Sequence, residues 1–135
     1  MNVRVVLDTS ALLAYSQLSS VAVGELIRMV VEDDDAVFVG VPAASFLAAH
    51  RVLDPDDRDR LVDLATMSDG VAVILPLLGA DAVEVAEVEA AEDVQDAGIG
   101  HAIFEAARLS ALLATFEGEA ARRWLVDDAV LDLSS

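Results

Sequence analysis

Cysteine is absent from the 135 residues, which excludes disulfides and thiolate metal sites and leaves the redox compartment open. Lysine is absent too. All 8 basic residues are arginine, set against 25 acidic ones for a formal net charge of −17. Such a chain lacks the basic face with which nucleic-acid binders displace counterions from phosphates, and one copy alone should repel RNA and DNA at long range. Two histidines, His50 and His101, are too few for a histidine-rich zinc centre. There is no glycine-rich phosphate loop: GIGHAIFEA, at 98–106, has neither the glycine spacing nor a preceding strand. Long apolar runs are also missing, although 56% of the residues are hydrophobic and the mean hydropathy is +0.53. The charge-free stretch from Thr9 to Gly24 is shorter than the roughly 20 residues of a membrane-crossing helix, and serines and a tyrosine interrupt it. No basic segment precedes an apolar core at the N-terminus, so no signal peptide and a cytoplasmic location are expected. The acidity fits either a salt-adapted or arginine-favouring host or a basic protein partner.

What is present is an alternation of two periodicities. Short, valine-rich apolar runs at 3–7, 36–41, 71–75, 111–116 and 129–133 predict strands. Between them, helices are expected from Thr9 or Ser10 as a cap through Tyr15 and from Ser19 or Ser20 through Val31. Further helices are expected from Pro42 to His50, Pro55 to Met67, Gly79 to Val94 and His101 to Leu109. The run Glu32, Asp33, Asp34, Asp35 reads as a solvated turn, since it lacks the spaced ligands and central glycine of a calcium loop. Strands alternating with helices predict a parallel sheet of about five strands covered on both sides. With no repeat or linker, residues 1–135 are expected to form a single domain.

In such sheets, ligands bind beyond the carboxyl ends of the strands, where strand order reverses. Asp8 stands at one such end, in VVLDTSALLAY, and Glu117 follows another, in LLATFE. Converging carboxylates of this kind hold magnesium or manganese, and two such ions serve phosphodiester cleavage. Asp8 followed by Thr9 and Ser10 is also what a plain helix cap looks like.

The stretches VVLDTSALLAY, VGVPAASFLAAH, GHAIFEAARL and LLATFE, in this order, resemble the landmarks of PIN domains over essentially the whole chain. The resemblance implies an α/β fold, a three-layer α/β/α sandwich around a parallel sheet. Many members are magnesium-dependent ribonucleases, among them VapC-type toxins that dimerise and are held by an antitoxin. Carried over residue by residue, the family's first acid falls on Asp8, accompanied by Thr9 or Ser10. The second acid, six residues after the proline at Pro42, falls on Ala48, which binds no metal. The third falls near His101, with Asp96 able to substitute if the glycine-flanked turn brings it back. The fourth falls on Glu117, two residues after Thr115.

The expected catalytic set is therefore Asp8, Asp96, His101 and Glu117. Asp8, Asp96 and Glu117 would be the ligands of Mg or Mn, if any ion binds, with Thr9, Ser10 and Thr115 in support. Exchanging carboxylates for alanine and imidazole removes about two negative charges and favours transition metals over magnesium. The resemblance then implies a degenerate site with weak or lost nuclease activity and a protein-binding or regulatory role. The alternative is an active Mg/Mn-dependent endoribonuclease toxin, with RNA as substrate. Expected partners are a second copy of the chain, through Leu12, Leu13 and Leu18, and an antitoxin or other basic protein. Arg122, Arg123 and Trp124 are read as packing or partner contacts rather than base-stacking groups.

Overall fold

A computed structural model describes residues 2–33, 37–67, 70–93 and 96–134. Five strands, β1 (Asn2–Leu7), β2 (Val37–Pro42), β3 (Ala72–Leu75), β4 (Leu112–Thr115) and β5 (Val130–Asp132), form one sheet in the order β3-β2-β1-β4-β5. Every pairing is parallel. Seven α-helices are seen among the described residues: α1 (Thr9–Ser16), α2 (Ala22–Asp33), α3 (Ala43–Val52), α4 (Pro55–Met67), α5 (Ala82–Ala90), α6 (Ile99–Leu109) and α7 (Gly118–Arg122). None of the described helices is long and apolar enough to cross a membrane. Asp34 and Asp35 of the acidic run, Ala36 at the expected start of β2 and Val94 at the expected end of the fifth helix lie outside the described residues.

The sheet divides the core in two. Val5, Leu7, Val39 and Val41 pack with Leu12 of α1, Val23 of α2 and Leu61 of α4 on one face. Val3, Val6 and Leu113 pack with Ile99, Ile103 and Ala106 of α6 and Ala121 of α7 on the other. Strand residues two apart ordinarily share a face. Val3 and Val5 do not, because the β1–β2 register shifts between them. The apolar runs are thus consumed on both faces, each buried Val or Leu contributing about 1.5–3 kcal/mol of hydrophobic free energy. Leu12 belongs to this interior, fully buried, which corrects its expected place at a dimer interface; Leu18 is exposed.

Helix starts follow local chemistry. Asp54 accepts the Asp57 amide at 3.0 Å and Pro55 opens α4, where its missing N–H costs nothing. The cap of α1 differs from expectation. Asp8, not Thr9 or Ser10, is the N-cap, and its side chain accepts the Ala11 amide. The two hydroxyls become first-turn residues free to reach other segments.

Candidate acidic site at the strand switch point

The strand order places β1 beside β4, and the chain leaves these two strands toward opposite edges of the sheet. Their carboxyl ends therefore form the crevice where doubly wound sheets bind ligands. A cavity of about 110 Å3 lies there. Asp8, Thr9, Ser10, Asp96 and Glu117 line it, with Leu13 and Ile99 as apolar walls. A larger groove of about 700 Å3 opens at the amino ends of β1 and β4 beside Trp124. Asp128 is its one acid, so the convergent carboxylates single out the smaller cavity.

Asp8 is almost fully buried and bonded on both oxygens. Oδ1 accepts from the Ser10 hydroxyl at 2.6 Å and the Ala11 amide at 3.0 Å. Oδ2 accepts from the Thr115 hydroxyl at 2.5 Å. Each hydroxyl also receives an amide from the β4 end: Ser10 from Phe116 at 2.9 Å and Thr115 from Glu117 at 2.8 Å. A hydroxyl has one proton to give. Both protons go to Asp8, so Asp8 ties the end of β1, the start of α1 and the exit of β4 into one hydrogen-bonded unit.

Asp96 reaches the cavity through a fastened turn. The Thr9 hydroxyl donates to the Ala97 carbonyl at 2.6 Å, and the buried Ser45 hydroxyl of α3 donates to the Gly98 carbonyl at 2.7 Å. From α5, the Glu89 carboxylate accepts the Gly98 and Gly100 amides at 3.1 and 2.6 Å. It thereby satisfies orphan donors at the start of α6. Gly98 sits at φ +91, and a Cβ there would stand 2.4 Å from Thr9 Oγ1 and 2.8 Å from the Ser45 Cα. Only glycine lets the chain pass this close. Sequence reasoning missed Glu89, which belongs to no motif, and Ser45, which lies within VGVPAASFLAAH but far from Asp96 in the chain.

His101 does not line the cavity. Its ring is fully buried between α6 and α3, where Nδ1 accepts the Ala44 amide at 3.2 Å, one of the unpaired donors at the start of α3. A neutral ring accepting at Nδ1 carries its proton on Nε2, which lies 3.4 Å from Glu105 Oε1. Burial pushes the imidazole pKa down despite Glu105, and the Glu105 Oε2 is itself held by Arg108 at 3.0 and 2.5 Å. His101 thus has a capping position beside Glu105 and outside the cavity that Asp8, Asp96 and Glu117 line. Ala48 of α3 is half-buried and likewise does not line the cavity.

Two further acids surround the site. Asp132, at the carboxyl end of β5, pairs in register with Thr115 and bonds Arg122 at 3.4 Å. Its charge helps raise the Glu117 pKa. Glu92 accepts from Arg123 and, at 3.2 Å, from the Trp124 indole. Arg123 and Trp124 thus both engage Glu92, and Trp124 is 44% exposed.

Burial raises the pKa of Asp8 against the pull of its hydrogen bonds from Ser10 and Thr115. Burial, then repulsion from Asp93 and Glu92, raises Asp96; burial, then repulsion from Asp96 and Asp8, raises Glu117. A raised carboxyl binds its proton more tightly in the folded chain. Its stabilising contribution is complete below the ordinary value, 3.8 for Asp and 4.5 for Glu, and is lost as pH climbs through the folded value. Asp132, held down mainly by the Ser134 hydroxyl and amide, has the opposite sign but is solvent-screened. The net charge of −17 adds self-repulsion in the same direction as the raised groups. The Tm is therefore expected to fall as pH rises from about 4 to about 7. A thermal melt series in which Tm climbs across that interval would contradict this.

The fold resemblance implies divalent ions at this place. The donors are hard carboxylate oxygens, of the type magnesium takes. Of the four lone-pair directions on Asp8, three are already occupied by Ser10, Ala11 and Thr115. Among the described residues, no three of Asp, Glu and His stand close enough to hold a metal ion together. An ion at this place would meet the carboxylates of Asp8, Asp96 and Glu117, with Asp8 already bonded on both oxygens. In comparisons with known proteins, the chain matches no protein family and no curated protein in sequence. The architecture itself, helices on both faces of a five-stranded parallel sheet, is PIN-like.

Proposed function

We propose that this chain is a PIN-like domain of the VapC-type ribonuclease family whose metal site has degenerated, leaving weak or no nuclease activity and a protein-binding or regulatory role. The observation that carries this is the state of Asp8: its carboxylate is spent on the domain's own donors. The capping position of His101 and the missing carboxylate at Ala48 support the same reading. A basic protein is the partner that the charge of −17 favours.

A second reading, a metal-dependent endoribonuclease acting as a toxin in a pair, is favoured by one observation. Asp8, Asp96 and Glu117 share a cavity in which Asp96 and Asp8 both repel Glu117, a tension that a single Mg or Mn ion would relieve. In that case RNA is the substrate, and a basic partner supplies the missing affinity for it.

Cleavage of structured RNA with magnesium or manganese separates the two. Wild type is expected to leave the RNA intact, and calorimetry to show no magnesium binding near micromolar Kd, on the order of −8 kcal/mol. Metal-dependent cleavage that disappears in Glu117→Gln would overturn the degenerate reading. Glu117 is the better variant because Asp8 also holds the fold.

A further inference from the structure

We propose that the groove along α5 is a docking site for a basic amphipathic segment of a partner protein, a surface that rests on the protein-binding reading above and gives it a location. The groove encloses about 560 Å3. Its wall on α5 is the run Ala82, Ala86 and Ala90, one face at i, i+4 and i+8, and Leu77 lines it from the segment after β3. Leu77, which lines it, is 40% exposed, and Leu78 and Val83, adjoining lining residues in sequence, are 57% and 70% exposed. Small side chains leave room for a partner's larger ones, and scattered single apolar residues would need no such explanation.

Charge identifies the occupant. Glu89, Glu92 and Asp93 line the groove, and Glu84 and Glu87 lie exposed on the same helix. No arginine or lysine occurs between Arg60 and Arg108, so neither α5 nor the segments flanking it carries a cation of its own. Arg123 pairs with Glu92, while Glu89 is bonded to backbone amides rather than to a cation. A second copy of this chain brings like charge to such a rim, which costs association free energy. A helix bearing leucines on one face and arginines beside them meets both the apolar wall and the acidic rim.

The probe is a synthetic helical peptide with leucines at i, i+3, i+4 and i+7 flanked by arginines, titrated into the full chain and followed by amide chemical shifts and calorimetry. Binding is expected, with shifts centred on Ala82, Ala86 and Ala90. It should be about tenfold weaker in Ala86→Arg, which puts a like charge and bulk in the groove. Met29→Glu, on α2, should leave it unchanged. Failure of the peptide to bind, equal binding by a serine–arginine peptide, or full binding by a folded Ala86→Arg would each overturn the proposal. So would a dimer in sedimentation that Ala86→Arg dissolves, since the face would then be covered by a second copy. None of these results bears on nuclease activity: RNA cleavage would overturn the degenerate reading and leave the groove untouched, and loss of the groove leaves that reading standing.

Discussion

Replacing Gly98 with alanine is expected to cost about 3 kcal/mol of folding stability, the sum of a left-handed backbone penalty and overpacking. The backbone at Gly98 has φ +91, a region where an L side chain pays about 1–2 kcal/mol. The added methyl would also meet Thr9 Oγ1 at 2.4 Å, Ser45 Cα at 2.8 Å and the Ala44 carbonyl at 3.1 Å. Two of these three are main-chain atoms, which cannot step aside as a flexible side chain would. Relief must come from moving the turn, and that turn carries Asp96 and holds bonds from Thr9, Ser45 and Glu89. Gly24 offers the contrast: nothing lies within 4 Å of its Cβ position and it sits inside α2, so Gly24→Ala should gain about 0.5 kcal/mol or more. Urea midpoints at matched slope measure both. A loss below about 1 kcal/mol for Gly98→Ala would show that the turn yields freely, and that the packing around it does not fix Asp96.

Asp8→Ala is the second large effect, expected at about 3 kcal/mol from one lost cap and two hydroxyls left without an acceptor. The Ala11 amide, the Ser10 hydroxyl and the Thr115 hydroxyl all point at the vacated place. The two hydroxyls in turn position the Phe116 and Glu117 amides, so the loss spreads to the exit of β4. Asp8→Asn should cost only about 1 kcal/mol, because its oxygen still accepts from Ala11 and Ser10 while its NH2 donates to Thr115. Asparagine also removes a buried charge, so the fall in Tm between mildly acidic and neutral pH should flatten in this variant. The pair of variants separates two uses of one residue. If Asp8 served only to attract a cation, alanine and asparagine would leave equally stable proteins; if it ties the strand ends together, only asparagine will come close to wild type. Denaturation of Asp8→Ala with an unchanged midpoint would remove the structural role argued for it.

Much of the architecture was legible because each strand is a short apolar run bounded by acids, glycine or proline. Asp54 and Pro55 announced α4 to the residue, since a cap and a proline act on their immediate neighbours. The carboxylates at strand ends were legible for the same reason: Asp8 follows the last buried residue of β1, and Glu117 follows the last of β4 by two. His101 was misplaced by its sequence neighbourhood. It opens the expected helix, but the structure starts α6 at Ile99, and the two-residue shift helps turn the imidazole toward Ala44 rather than toward the cavity. Successive helix positions differ by about 100 degrees, so an offset of that size redirects a side chain to another face.

The sequence by itself determined the local and the one-dimensional: where apolar runs stop, which residues cap helices, the missing acid at Ala48 and the charge that disfavours nucleic acid. These follow from interactions within a few residues or from composition, and neither needs a third dimension. Only the tertiary structure decided that Thr9 and Ser45 both bond the turn after Asp96, that Glu89 caps α6, and that Asp8 spends its lone pairs on Ser10, Ala11 and Thr115. Thr9 and Ala97 are 88 positions apart, as Asp8 and Thr115 are 107 apart. Hydrogen bonds reach about 3 Å and leave no periodic trace in the chain, so which donors meet which carboxylate depends on how the sheet and its helices close around them.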